Sequence, residues 1–162
     1  MATAVQKRQK FIRYFREQTG AKEVNMHEVA GMAAKMGWPL PTPADPMDLF
    51  AKQFSDAARE EIREDKETKQ PYKANLAFTK RLATGKQLWL WFDVDEATRP
   101  QMVKGLNLYR EQMVSEAVIG VNTAEHWNRT NPEQRRLPFV TDLSEDVKER
   151  ENAIELKDQK VG

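Results

Sequence analysis

The run Leu88-Trp-Leu-Trp-Phe92 sets the hardest condition on how this chain folds. In an extended strand successive side chains point to opposite faces, so Leu88, Leu90 and Phe92 lie on one side and Trp89 and Trp91 on the other. A strand apolar on both faces is ordinarily buried on both, which calls for a sheet lying between a helical core and a further covering element. If one face stays open, the tryptophans are left to stack on bases or to cover a partner. The rest of the chain is wet: 31% of residues are charged and the mean hydropathy is -0.77. A length of 162 residues holds one ordinary domain with an extension.

The elements around that strand follow from periodicity and caps. A first helix spans about Val5 to Gln18, with Phe11, Ile12, Tyr14 and Phe15 at helical spacing and Gly20 just past its end. A second begins at Asn25, with Glu28 placed for a capping box, and offers Met26, Val29, Ala30, Ala33 and Met36 before stopping at Gly37. Trp38-Pro-Leu-Pro-Thr-Pro43 is a stiff, extended connector, because its prolines remove donors and disfavour helix in the residues before them. The third helix starts with Asp45 as N-cap and Pro46 in the first turn. Its core face is Met47, Phe50, Ala51, Phe54, Ala58 and Ile62, and it frays near Asp65. Two strands, Tyr72 to Thr79 and Gln87 to Val94, are joined by a loop containing Gly85. Asp95 then caps a long helix to about Asn128, and from Arg129 onward the composition is that of a flexible charged tail. The apolar cluster Leu137-Pro-Phe-Val140 within that tail can dock as a short peptide.

No chemistry of a reacting centre is legible. The absence of cysteine excludes disulfides, thiolate catalysis and zinc fingers. His27 and His126 lie in separate helices without metal-ligand spacing, Ser55 and Ser115 have no nucleophile-elbow context, and the seven glycines are scattered singly. Asp93, Asp95 and Glu96 could hold a hard cation, but helix capping and early-helix charge account for Asp95 and Glu96. The expectation is a protein that is not an enzyme and has no catalytic residues, metal or cofactor. With no apolar run of about 20 residues and no apolar leader, the chain reads as cytoplasmic, without a membrane partner.

Charge is more informative than its net value of +1. Lys7, Arg8, Lys10, Arg13 and Arg16 open the chain without an acid, and Lys66, Lys69, Lys73, Lys80, Arg81 and Lys86 face the lone acid Glu67 across residues 66–86. The last 22 residues lean acidic. A basic hairpin tip neutralises phosphates, a contact that positions without specifying sequence. The third helix adds Lys52, Gln53, Arg59 and Arg63, yet its Asp48, Asp56, Glu60, Glu61, Glu64 and Asp65 make it net negative.

The segment Met26-His-Glu-Val-Ala-Gly-Met-Ala-Ala-Lys-Met-Gly-Trp38, the helix opened by Asp45-Pro46 and the basic hairpin together resemble the winged helix-turn-helix superfamily over about residues 5–94. That resemblance implies a compact helical bundle that presents its third helix to double-stranded DNA while the wing touches the backbone. The expected fold is mainly α with one β-hairpin (α+β): a winged helix over 1–94, a long helix over 95–128 and a tail over 129–162. The expected function is DNA binding, as a transcriptional regulator or mobile-element accessory factor. The nucleic-acid contacts would be Lys52, Gln53, Arg59, Arg63, Lys69, Lys73, Asn75, Lys80, Arg81 and Lys86. Met102, Leu106, Tyr109, Met113 and Val121 form a stripe close to a coiled-coil seam and would mediate a homodimer. The alternative is a protein-interaction adaptor in which the winged helix is a scaffold and the long helix and acidic tail engage a protein partner.

Overall fold

The computed structural model describes residues 1–42 and 45–158. Pro43, at the end of the connector, and residues 159–162 of the acidic segment lie outside the described residues. The architecture is α+β, with helices α1 (Ala4–Thr19), α2 (Met26–Lys35), α3 (Pro46–Glu60), α4 (Arg99–Thr130) and α5 (Ser144–Asp158). Strands β1 (Ile62–Glu64) and β2 (Pro71–Lys73) form one antiparallel sheet, and β3 (Asn75–Arg81) and β4 (Gln87–Asp93) form another. Two compact units, Met1–Asp48 and Leu49–Gly162, divide the chain inside α3. Among the described residues no helix is long and apolar enough to cross a membrane.

The first unit is a pair of capped helices. Thr3 and Gln6 close a capping box on α1, and Gly20 ends it in the left-handed conformation (φ 67). At α2 the Asn25 side chain accepts from His27 N at 2.9 Å, one residue earlier than a capping box requires, and Glu28 does not return the bond. α2 ends in a Schellman arrangement: Gly37, at φ 85, donates to Ala34 O, and Trp38 N donates to Ala33 O. That turn folds Trp38 back onto Phe11, ring centroids 5.0 Å apart, over a core of Phe11, Phe15 and Val29. Met26 and Met36, expected in this core, are exposed, because Val29, Met32 and Ala33 are the α2 residues that pack against the core.

The second unit is built around two hairpins and α4. α3 stops at Glu60 because side chains from downstream occupy its last carbonyls: Lys73 Nζ donates to Arg59 O at 2.7 Å and Asn75 Nδ2 to Ala58 O at 3.3 Å. Ile62 to Glu64, expected to continue that helix, pairs with Pro71 to Lys73 instead. Ala74, 0% exposed, is where the chain changes sheets. Its N–H donates to Glu61 O and its carbonyl accepts from Val94 N. The apolar face of α3 differs most from expectation: Met47, Phe50 and Phe54 are exposed, with Phe50 and Phe54 packed edge to face on one another at 4.8 Å.

One face of the β3–β4 sheet lies under α4. Leu76 and Phe92, paired across the strands, meet α4 at Gly105, where a Cβ would fall 3.1 Å from Leu76 Cβ and 2.6 Å from the Phe92 ring. α4 starts at Arg99 under a Thr98–Gln101 capping box, with Pro100 in its first turn, and not at Asp95, which lies in a short 3-10 turn over Val94–Glu96 capped by Asp93. Past α4 the chain turns back. Asn128 pairs both amide atoms with the Leu137 backbone at 2.9 Å, Arg136 pairs with Glu125, and the Phe139 ring lies on Gly120. The cluster expected to dock as a peptide thus docks on this chain's own long helix. α5 forms in the segment read as a tail, and Gln70 Nε2 in the β1–β2 turn donates to Glu151 O at 3.2 Å.

Two helical glycines should respond oppositely to substitution. Gly31 is exposed in α2 with nothing near its absent Cβ, so Gly31→Ala is expected to stabilise by about 0.5–1 kcal/mol. Gly105→Val drives a branched side chain into Leu76 and Phe92 and is expected to cost on the order of 1–3 kcal/mol. Urea unfolding of both variants beside the wild type checks the pair; equal signs would refute the packing described at Gly105.

Candidate nucleic-acid interface

Of the ten side chains expected to contact nucleic acid, the fold draws six into bonds of its own. Lys52 Nζ and Arg59 Nη1 both hold Asp56, at 2.6 and 2.8 Å. Arg59 also lies over the Trp91 ring, 5.8 Å from its centroid. Lys73 caps α3 and sits 5.9 Å from the Tyr109 ring centroid, while Asn75 is shared between Ala58 O and Glu61 Oε2. Lys69 is the weakest case, 4.0 Å from Glu64 in the β1–β2 turn, at a strained φ of 58. Arg63 is the most heavily engaged. Its guanidinium forks onto both Asp93 oxygens at 2.9 and 2.8 Å, reaches Asp95 at 2.7 Å and touches Glu61 at 3.2 Å. Bidentate geometry of this kind is the strong form of an arginine–carboxylate pair.

This clamp ties β1 to the end of β4 and to the 3-10 turn, and Tyr72 on β2 joins through its hydroxyl at 3.1 Å from Asp95. Hydrogen bonding from Arg63, helped by the Asp95 amide, holds the Asp93 carboxyl below the usual carboxylate range. Asp93 in turn raises the pKa of Arg63. Partial desolvation, then the hydrogen bond to Asp95, pushes the Tyr72 phenol up. Asp93 and Asp95, which the sequence offers for a hard cation, thus already hold a guanidinium.

The other four stay clear of such bonds. Gln53, Lys80, Arg81 and Lys86 are exposed, and their side chains take no hydrogen bond or ion pair among the described residues. Lys80, Arg81 and Lys86 gather at the open end of the β3–β4 hairpin, where Arg81 pairs with Gln87 and the loop closes through Leu82 N to Lys86 O and Gly85 N to Leu82 O. Gly85, at φ 83, supplies the left-handed residue that this loop needs. Lys104 of α4, absent from the sequence-based set, adds a cation over the Phe78 ring at 5.3 Å. No sequence pattern singles it out, because only the packing of α4 on β3 brings it to Phe78.

The two faces of β4 differ. Leu88, Leu90 and Phe92 share the face on which Phe92 meets α4, whereas Trp89 and Trp91 share the other. That second face is not sandwiched, contrary to the expectation for a strand apolar on both sides. The last turn of α3 reaches Trp91 through Arg59, but Trp89 is 52% exposed, opposite Thr79 and diagonal to Arg81. A cleft of about 240 Å³ opens beside the two indoles, lined also by Arg59, Lys73, Tyr109 and Gln112.

The stripe expected to form a dimer seam is divided among these features. Tyr109 lines the cleft, Met102 and Val121 are half-buried, and Leu106 and Met113 are exposed. Comparison with family models, curated proteins and solved structures returns no match for this chain.

The Arg63 clamp predicts a defined acid response. A carboxyl whose folded pKa is depressed adds stability that is fully present above its unfolded value near 3.9 and is lost as pH falls through the folded value. Arg63→Met is therefore expected to lower Tm most at neutral pH and progressively less as acid protonates Asp93. Thermal melts from pH 7 to pH 2 check it; a Tm difference that stays constant or grows on acidification contradicts the clamp.

Proposed function

We propose that this chain is a non-enzymatic DNA-binding protein whose contact surface is the β3–β4 hairpin. The observation that carries the reading is the cluster of Lys80, Arg81 and Lys86 at the hairpin tip, exposed and without an acidic partner among the described residues. Three such cations on a short loop form a local positive field suited to phosphates. Three helices precede this hairpin as they precede the wing of a winged helix, with the short β1–β2 hairpin inserted between them here, and regulator or accessory-factor roles fit a protein that binds without reacting. α3 supports major-groove reading poorly. Lys52 and Arg59 are held by Asp56, and the helix also carries Asp48 and Glu60.

A second reading, the protein-interaction adaptor, is favoured by one observation: the exposed apolar face of α3 at Met47, Phe50 and Phe54. The docked segment after α4 argues for a structural use of that part of the tail.

Fluorescence anisotropy with a labelled duplex, titrated with salt, separates the two. If the hairpin binds, the triple variant Lys80→Ala, Arg81→Ala, Lys86→Ala flattens the slope of log affinity against log salt by about 2–3, since each cation removed leaves one phosphate with its counterions. Wild-type protein without affinity at low ionic strength would overturn the DNA reading in favour of the adaptor.

A further inference from the structure

Resting on the hairpin reading, we propose that the open face of β4 is a site for single-stranded nucleic acid, with Trp89 as the stacking platform for an unpaired base. Three features converge on it. Trp89 leaves a large indole 52% exposed on a strand whose neighbour Trp91 is already covered by Arg59, so one ring of the pair is free and the other is fixed. Arg81 is diagonal to Trp89 on the same sheet face, and Lys86 adjoins it in the loop, which places phosphate-seeking charge beside a base-seeking surface. Such pairing of an aromatic platform with cations that follow the backbone is what sequence-tolerant single-strand binding requires.

The cleft beside the indoles gives the third. It is a half-open concavity of about 240 Å³, against whose walls a flat base can lie. Aromatic Trp89, Trp91 and Tyr109 wall it, and Gln112 supplies an amide group. A duplex keeps its bases stacked inside and can offer this face only phosphates. A single strand can offer both base and phosphate, so the surface favours the unpaired form. The hairpin cations alone would bind either form, and Trp89 makes the difference.

The test uses full-length protein at low salt with labelled oligo(dT), oligo(rU) and a duplex of equal length. Tighter binding of the single strands is expected. Trp89→Ala should weaken single-strand binding by about tenfold, within the range for removing one base stack, and leave duplex binding unchanged. Trp89→Phe, which keeps a ring, should retain most of the affinity and lose the quenching of tryptophan emission that single-strand binding produces in the wild type. If Trp89→Ala binds single strands as the wild type does while the triple basic variant does not bind, the stacking site is refuted and the hairpin reading stands. If the duplex is preferred and Trp89→Ala weakens both forms equally, the single-strand assignment is likewise overturned. If neither form binds the wild type, both readings fall.

Discussion

The close approach of α4 to the β3–β4 hairpin at Gly105 is the contact on which the second unit turns. A two-stranded hairpin is marginal by itself in water and needs an apolar cover. Here the cover is one helix on one face, admitted because Gly105 has no side chain where Leu76 and Phe92 rise to meet it. Once α4 is seated there, its remaining length extends well past the sheet, and the returning segment with Phe139 on Gly120 covers part of that extension. The same device, an aromatic ring received by a helical glycine, is used at both places.

The electrostatics follow from a competition for cations. The chain holds nearly equal numbers of acids and bases, and where strands, caps and turns meet, the bases are taken up internally. Arg63 serves three carboxylates at once, Lys73 closes α3, and Arg59 is divided between Asp56 and the Trp91 ring. Half-exposed pairs of this kind contribute modestly to stability one by one, so their importance lies in fixing geometry. Among the described residues, Lys80, Arg81 and Lys86 at the hairpin tip are not consumed in this way, and neither are the bases of α1 from Lys7 to Arg16.

That competition also explains which parts of the molecule are legible in the sequence. Local signals are: the left-handed Gly20 and Gly37, the Asp45 side chain accepting from Met47 N, the hairpin around Gly85 and the long helix all depend on neighbours within a few residues. The end of α3 is not, because Lys73 and Asn75 reach it from 14 and 17 residues away. Strand β1 is hidden by the same cause, since Ile62 suits a helical stripe as well as a strand and only its pairing with Lys73 decides. At the candidate site, alternation along Leu88 to Phe92 correctly separates the two faces, but it does not show that only one finds a cover. Formal charge likewise identifies Lys80, Arg81 and Lys86 while offering no means to discount Arg63.

Seen mechanically, α4 is a beam resting on two supports. Gly105 bears on the sheet and Gly120 on the returning chain, fifteen residues apart, or about 22 Å at the helical rise of 1.5 Å. Between them the helix spans four turns, and Met113, Val114, Val118 and Ile119 there face water. The first turns of that span still bear on the hairpin through Leu108, Tyr109 and Gln112, and the cover thins beyond them. Placing Tyr109 and Gln112 beside Trp89 is therefore the work of the support at Gly105, one to two turns away.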